Sequence, residues 1–246
     1  MADSRKVTMA RRLAARAPRA TRRYGRRFLR LEQLGAWYGT DKVDRWHTHV
    51  GRTNCAIYER YLSAWRRKQF TLLEIGVLSG ASLRMWQAFF PRARVRGLDI
   101  DPAAGSLGLD VTIGSQADPD VLEGLVSPDL AFVIDDGSHV IELTIATFEY
   151  LFPRLESGAV YIIEDTLNTY EPARSDWPGM SYNEGLSLEN VRADFDAFLA
   201  RLMHDCDAHP ASVRQREGGD LEVDVGPDRT VSFVHVWPGL IVVGRA

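Results

Sequence analysis

The sequence predicts an α/β domain wound around a mostly parallel sheet, and two observations carry that expectation. Short apolar runs at 70–75, 95–98, 130–134 and 160–163 alternate with longer segments whose apolar residues recur at helical spacing. Each run also ends on acids or glycine: Glu74 and Gly76, Asp99, Asp135 and Asp136, Glu164 and Asp165. The carboxyl ends of strands are where open α/β sheets bind ligands. A length of 246 residues is enough for one good-sized core.

Composition narrows the class. No apolar run is long enough to cross a membrane, and the first residues lack the apolar centre of a secretory signal, so a soluble, cytoplasmic protein with no membrane partner is expected. Cys55 and Cys206 lie far apart without metal-like spacing and read as packing residues. Net charge is only −3, but it is unevenly spread. Between residues 1 and 33, Arg5, Lys6, Arg11, Arg12, Arg16, Arg19, Arg22, Arg23, Arg26, Arg27 and Arg30 precede the core, and up to Arg30 the one acid is Asp3. This basic arm reads as a solvated or oligomer-forming extension of a domain at 34–246. With no regular interleaving of aromatic residues, only Tyr24 and Phe28 standing among the arginines, it makes a poor nucleic-acid surface.

The first strand delivers its chain to FTLLEIGVLSG, residues 70–80, where glycine at Gly76 and Gly80 permits close approach of a ligand to the backbone. A helix then begins near Ala81 and Ser82, with Leu83, Trp86, Phe89 and Phe90 on one face, and stops at Pro91. The second strand, 95–98, ends on Asp99, placed to meet a ribose diol. A short third strand at 109–113 leads into GSQADPD. There Asp118 reads either as the cap of a helix running towards Leu125 or as a ligand contact. Upstream, GTDKVDRWHTHV is a polar loop with His47 and His49, whose spacing is a weak metal signal, before a helix carrying Ile57, Tyr58, Tyr61, Leu62 and Trp65.

The fourth and fifth strands each present an acid pair at the same edge. Gathering carboxylates there without thiolates favours magnesium, manganese or calcium over zinc. A long segment follows, 167–187, rich in aromatic and amide groups, then an amphipathic helix over 188–203. The end, VSFVHVWPGLIVVGR, predicts two strands about Pro238 and Gly239, a hairpin closing the sheet.

The turn E-x-G-x-x-x-G has no dinucleotide spacing and no phosphate cradle. With an acid at the second strand it resembles the S-adenosylmethionine-dependent methyltransferases of the Rossmann-like class, which implies a seven-stranded, mostly parallel sheet with a C-terminal antiparallel hairpin. GTDK (39–42), LEIGVLSGASLRMW (73–86), GLDID (97–101), IDDGSH (134–139) and IIEDT (162–166) together resemble the metal-dependent O-methyltransferases that act on sugars of bacterial natural products. This group includes macrolide-glycoside, nucleotide-sugar and rhamnosyl O-methyltransferases. The resemblance implies cofactor contacts from Thr40, Lys42, Glu74, Gly76, Gly80, Ser82, Asp99, Asp101, Gln116, Asp118 and Asp135. It further implies Mg²⁺ or Mn²⁺ held by Asp136, Glu164 and Asp165, with His139 as general base. Asn168, Tyr170 and Trp177 would meet the acceptor.

On that reading a methyl group passes from S-adenosylmethionine to a hydroxyl of a nucleotide sugar or glycosylated natural product, in an enzyme that forms a homo-oligomer. A sugar hydroxyl is a poor nucleophile near neutrality, which is what a divalent cation and an imidazole base correct. Two alternatives stand beside it. A catechol or phenol O-methyltransferase shares the metal logic and differs only in its acceptor pocket. A non-catalytic cofactor-binding or RNA-binding protein would give salt-sensitive RNA binding that is lost on deleting residues 1–30.

Overall fold

The computed structural model describes residues 29–44, 52–166, 188–207, 212–215, 218–219, 221–224 and 230–246. Nearly all of the basic arm, His47 and His49, and the segment with Asn168, Tyr170 and Trp177 lie outside the described residues. The chain divides into two compact units, 1–121 and 122–246.

The first unit begins with α1 (Leu31–Tyr38), which the sequence pattern did not suggest. Leu31 and Leu34 are fully buried, so the helix runs across residue 33, and the folded region starts within the stretch read as arm. A 3₁₀ turn, Asp41–Val43, leads to α2 (Asn54–Leu62), whose start is capped by Thr53 accepting from the Ala56 N–H at 3.1 Å. Then come β1 (Thr71–Ile75), α3 (Ala81–Phe89), β2 (Arg94–Asp99) and β3 (Val111–Ile113). The helix predicted after Gly80 is α3, and it stops just before Pro91. It buries Leu83, Met85, Trp86 and Phe89, each worth roughly 1.5–3 kcal/mol. Its close seat on the sheet depends on Gly97, where a Cβ would lie 2.9 Å from Leu83 and 2.5 Å from Val77. Strands β1, β2 and β3 pair in parallel. A short helix, α4 (Pro119–Glu123), follows.

The second unit contains β4 (Leu130–Asp135), α5 (Ile141–Leu151), β5 (Val160–Glu164), α6 (Leu188–Cys206), β6 (Ser212–Gln215), β7 (Leu221–Asp224), β8 (Val231–Trp237) and β9 (Leu240–Arg245). Every residue of β4 and β5 is buried, as continuous apolar runs in a covered parallel pair should be. The predicted hairpin is β8–β9, and β9 lies antiparallel to β5, with Glu164 opposite Leu240. Strands β6 and β7 form a separate two-stranded sheet that the sequence did not announce. The order in the main sheet is β3-β2-β1-β4-β5-β9-β8, seven strands, as expected for the Rossmann-like methyltransferase architecture. No helix among the described residues is long and apolar enough to cross a membrane.

Candidate active site

In the first unit the turn after β1 is held by Asp99 at the end of β2. Its Oδ2 accepts from the Val77 and Leu78 N–H groups at 2.8 and 3.0 Å, and its Oδ1 accepts from the Asp101 N–H at 2.8 Å. The carboxylate expected at a ribose therefore also shapes the glycine turn. Gly76 has φ +86° and Gly80 φ +72°, conformations an L side chain resists. At Gly80 a Cβ would also meet the ends of the Leu109 and Arg84 side chains at 2.5 and 2.8 Å, flexible groups that can give way, so the left-handed backbone is the stronger demand for glycine. Leu78, in the same turn, has φ +49° and is 74% exposed. A non-glycine residue in the left-handed region marks a segment whose surroundings override its preference.

The remaining cofactor-side residues fall into distinct environments. Ser82 and Gln116 are buried. Asp101 and Asp118 cap local structure: Asp101 accepts from the Ala103 N–H and Asp118 from the Asp120 N–H, at 2.8 and 2.9 Å. The capping reading of Asp118 is thus realised. Thr40 opens the 3₁₀ turn that carries Lys42, and Lys42 Nζ lies 3.4 Å from Glu74 Oε1 with 2% and 0% of the two side chains exposed. Partners this deeply buried compensate each other's desolvation, so removing one is costly where exchanging both is not. Lys42→Met is expected to destabilise the fold by about 3–5 kcal/mol, because it deletes the cation facing a carboxylate with no exposed surface. Equilibrium denaturation measures this, and a midpoint equal to the wild type's would exclude it.

In the second unit, β4 and β5 deliver the acid pairs, and the pairs split. Asp136, His139 and Asp165 offer ligand atoms that all lie within 4.8 Å of one another. His139 Nε2 is 4.0 Å from Asp136 Oδ1 and 3.7 Å from Asp165 Oδ2. Glu164 is buried and is not in that group. Asp135 is buried too: its Oδ2 accepts from the Tyr161 hydroxyl at 3.1 Å and its Oδ1 from the Gly137 N–H at 3.3 Å. Asp135 and Glu164 are the last residues of their strands, whereas Asp136 and Asp165 lie just beyond them. His139 and Asp165 both have positive φ, +55° and +53°. Asp165 is bracketed by the hairpin, since Glu164 pairs with Leu240 and the Thr166 N–H donates to the Gly239 carbonyl at 3.2 Å. The two carboxylates, partly exposed and free of thiolates, are oxygen donors that suit a divalent cation of the magnesium and manganese kind, with the imidazole beside them.

Two residues that shape these sites were not read from the sequence. Tyr161 sits in an apolar run, but a tyrosine buried in a covered strand must find a partner for its hydroxyl, and that was a usable signal. Arg84 binds the carbonyls of Ser79 and Leu107, both at 3.0 Å, bracing the turn after β1. Nothing in the local pattern marked it.

No family model matches the chain. It is 32% identical, over 87% of its length and 54% of the relative's, to the 8-demethyl-8-alpha-L-rhamnosyl tetracenomycin-C 2'-O-methyltransferase of Streptomyces olivaceus. The chain is similar over most of its own length to a sugar O-methyltransferase. It is also 34% identical to the mycinamicin VI 2''-O-methyltransferase of Micromonospora griseorubida, over 68% of this chain and 43% of that protein. Among solved structures, the MycE methyltransferase of the mycinamycin pathway, in complex with Mg and SAH, matches with a TM-score of 0.65 at 26% identity, covering 89% of this chain and 54% of that one. The same methyltransferase with Mg, SAH and mycinamycin VI matches at 27% identity and a TM-score of 0.63. The chain thus spans about half the length of these sugar O-methyltransferase relatives.

Proposed function

We propose that this protein is an S-adenosylmethionine-dependent O-methyltransferase acting on a sugar hydroxyl of a glycosylated natural product, with a divalent cation at Asp136 and Asp165 and His139 as general base. The observation that carries the reading is the convergence of Asp136, His139 and Asp165 in a chain related to sugar O-methyltransferases.

Each unit contributes its own part. In the first, the glycine turn and Asp99 offer a bed for a nucleoside: backbone at Gly76 can be approached closely, and a carboxylate at the end of β2 suits a ribose diol. S-adenosylmethionine would supply an electrophilic methyl on a positively charged sulfur. In the second, Asp136 and Asp165 hold opposing negative charge around His139. A divalent cation bound there would lower the pKa of the acceptor hydroxyl and fix its direction. His139 is suited to take the hydroxyl proton, since imidazole is the side chain most often used as a positioned general base. Holding acceptor and donor at attack distance is the other large source of rate. Glu164, next in sequence to Asp165, is the third acid proposed for the cation.

The acceptor class follows from the relatives named for sugar hydroxyls of tetracenomycin and mycinamicin. It is tested by offering glycosylated polyketides, nucleotide sugars and catechols in parallel with labelled S-adenosylmethionine and magnesium. Label entering only the glycosides is expected. Label entering catechols alone would replace this reading with the phenol one.

A further inference from the structure

We propose that Tyr161 is a positioning residue for the Asp136, His139 and Asp165 group: its hydroxyl holds the Asp135 carboxylate, and Asp135 holds the turn that presents Asp136 and His139. This rests on the metal-site reading above.

The turn from Asp136 to Val140 joins the end of β4 to the start of α5, and it carries His139 in a left-handed conformation. Such a conformation persists only where the surroundings determine it. Tyr161 touches the strand before this turn and the helix after it. Its hydroxyl donates to Asp135 Oδ2 at 3.1 Å, immediately before the turn, while its ring meets Phe148 of α5 edge-on, with centroids 4.9 Å apart and planes at 68°. The other carboxylate oxygen, Oδ1, accepts from the Gly137 N–H at 3.3 Å, inside the turn. Asp135 is 3% exposed and Tyr161 fully buried, so the carboxylate oxygens take such donors in place of water. Burial, then the Asp135 charge and the hydrogen bond itself, holds the phenol pKa well above its ordinary value, so Tyr161 remains a donor throughout the working range. Deleting that hydroxyl strips the carboxylate of a donor at its buried end. The cheapest relief is for Asp135 to turn towards water, and the Gly137 amide and the residues after it move with it. Groups that orient metal ligands from behind typically change affinity by 10–100-fold when removed.

The test compares wild type, Tyr161→Phe, Asp135→Asn and the double variant by Mn²⁺ titration and by amide hydrogen exchange without metal. Phe keeps the ring and its contact with Phe148. Asn cannot serve both donors, since its amide nitrogen would face one of them. Each single variant is expected to bind Mn²⁺ about 10–100-fold more weakly, and the double variant no more weakly than either, because all three break one link. Amides at 136–139 should exchange faster in Tyr161→Phe while those of β4 and β5 keep their protection. Wild-type Mn²⁺ affinity in Tyr161→Phe, losses that add in the double variant, or uniform acceleration across β4 and β5 would each overturn the proposal. If wild type itself binds no Mn²⁺, the metal reading fails; the exchange comparison still decides the positioning role, and unchanged protection at 136–139 would defeat it.

Discussion

Asp136→Ala and Asp165→Ala should each lower divalent-cation affinity by more than the 10–100-fold typical of groups that merely orient a ligand, and methyl transfer should fall with it. Both carboxylates stand within reach of one ion, and neither replaces the other. Their side chains are 22% and 33% exposed, so deletion opens no cavity in the core; Asp136→Ala should melt close to the wild type, and Asp165→Ala somewhat below it, because alanine adds strain at the left-handed backbone of residue 165. Mn²⁺ titration beside thermal denaturation separates loss of the site from loss of the fold. Wild-type affinity in both variants would remove the cation from this group.

His139 should behave differently from the acids. His139→Asn is the better substitution, because asparagine tolerates the left-handed backbone at this position whereas alanine would add strain there. The variant should bind cation and cofactor nearly as the wild type does, yet transfer methyl about 10²–10⁴-fold more slowly, the usual worth of a positioned base. Single-turnover rates at saturating cofactor and cation measure this. A large loss of cation affinity would instead make His139 a ligand, and an unchanged rate would leave positioning alone as the source of catalysis.

The sheet and its edge were legible because each central strand is an apolar run that stops at charge, and burial on both faces leaves no other reading for such a run. The hairpin at Pro238 and Gly239 was legible for the same reason. What the pattern did not show is how the acid pairs divide. Adjacent letters such as Asp135 and Asp136 look equivalent in sequence, yet one is buried against Tyr161 and the other joins His139 and Asp165. Glu164 and Asp165 differ likewise, the first buried as the last residue of β5 and the second in the turn beyond it. Helix α1 was missed because only a few buried residues, Leu31, Leu34 and Gly35, mark a face that begins inside an arginine-rich stretch. Gly80 was legible from spacing, but its left-handed backbone, φ +72°, is a demand of the turn that spacing does not display.

The most direct measurement is transfer of labelled methyl from S-adenosylmethionine to a glycosylated acceptor, run in chelator, then after addition of magnesium. Transfer should stop in chelator and return with the cation, and the product should be a methyl ether on a sugar oxygen. Full transfer in chelator would contradict the role assigned to Asp136 and Asp165 and, with it, the account of how this protein activates a hydroxyl.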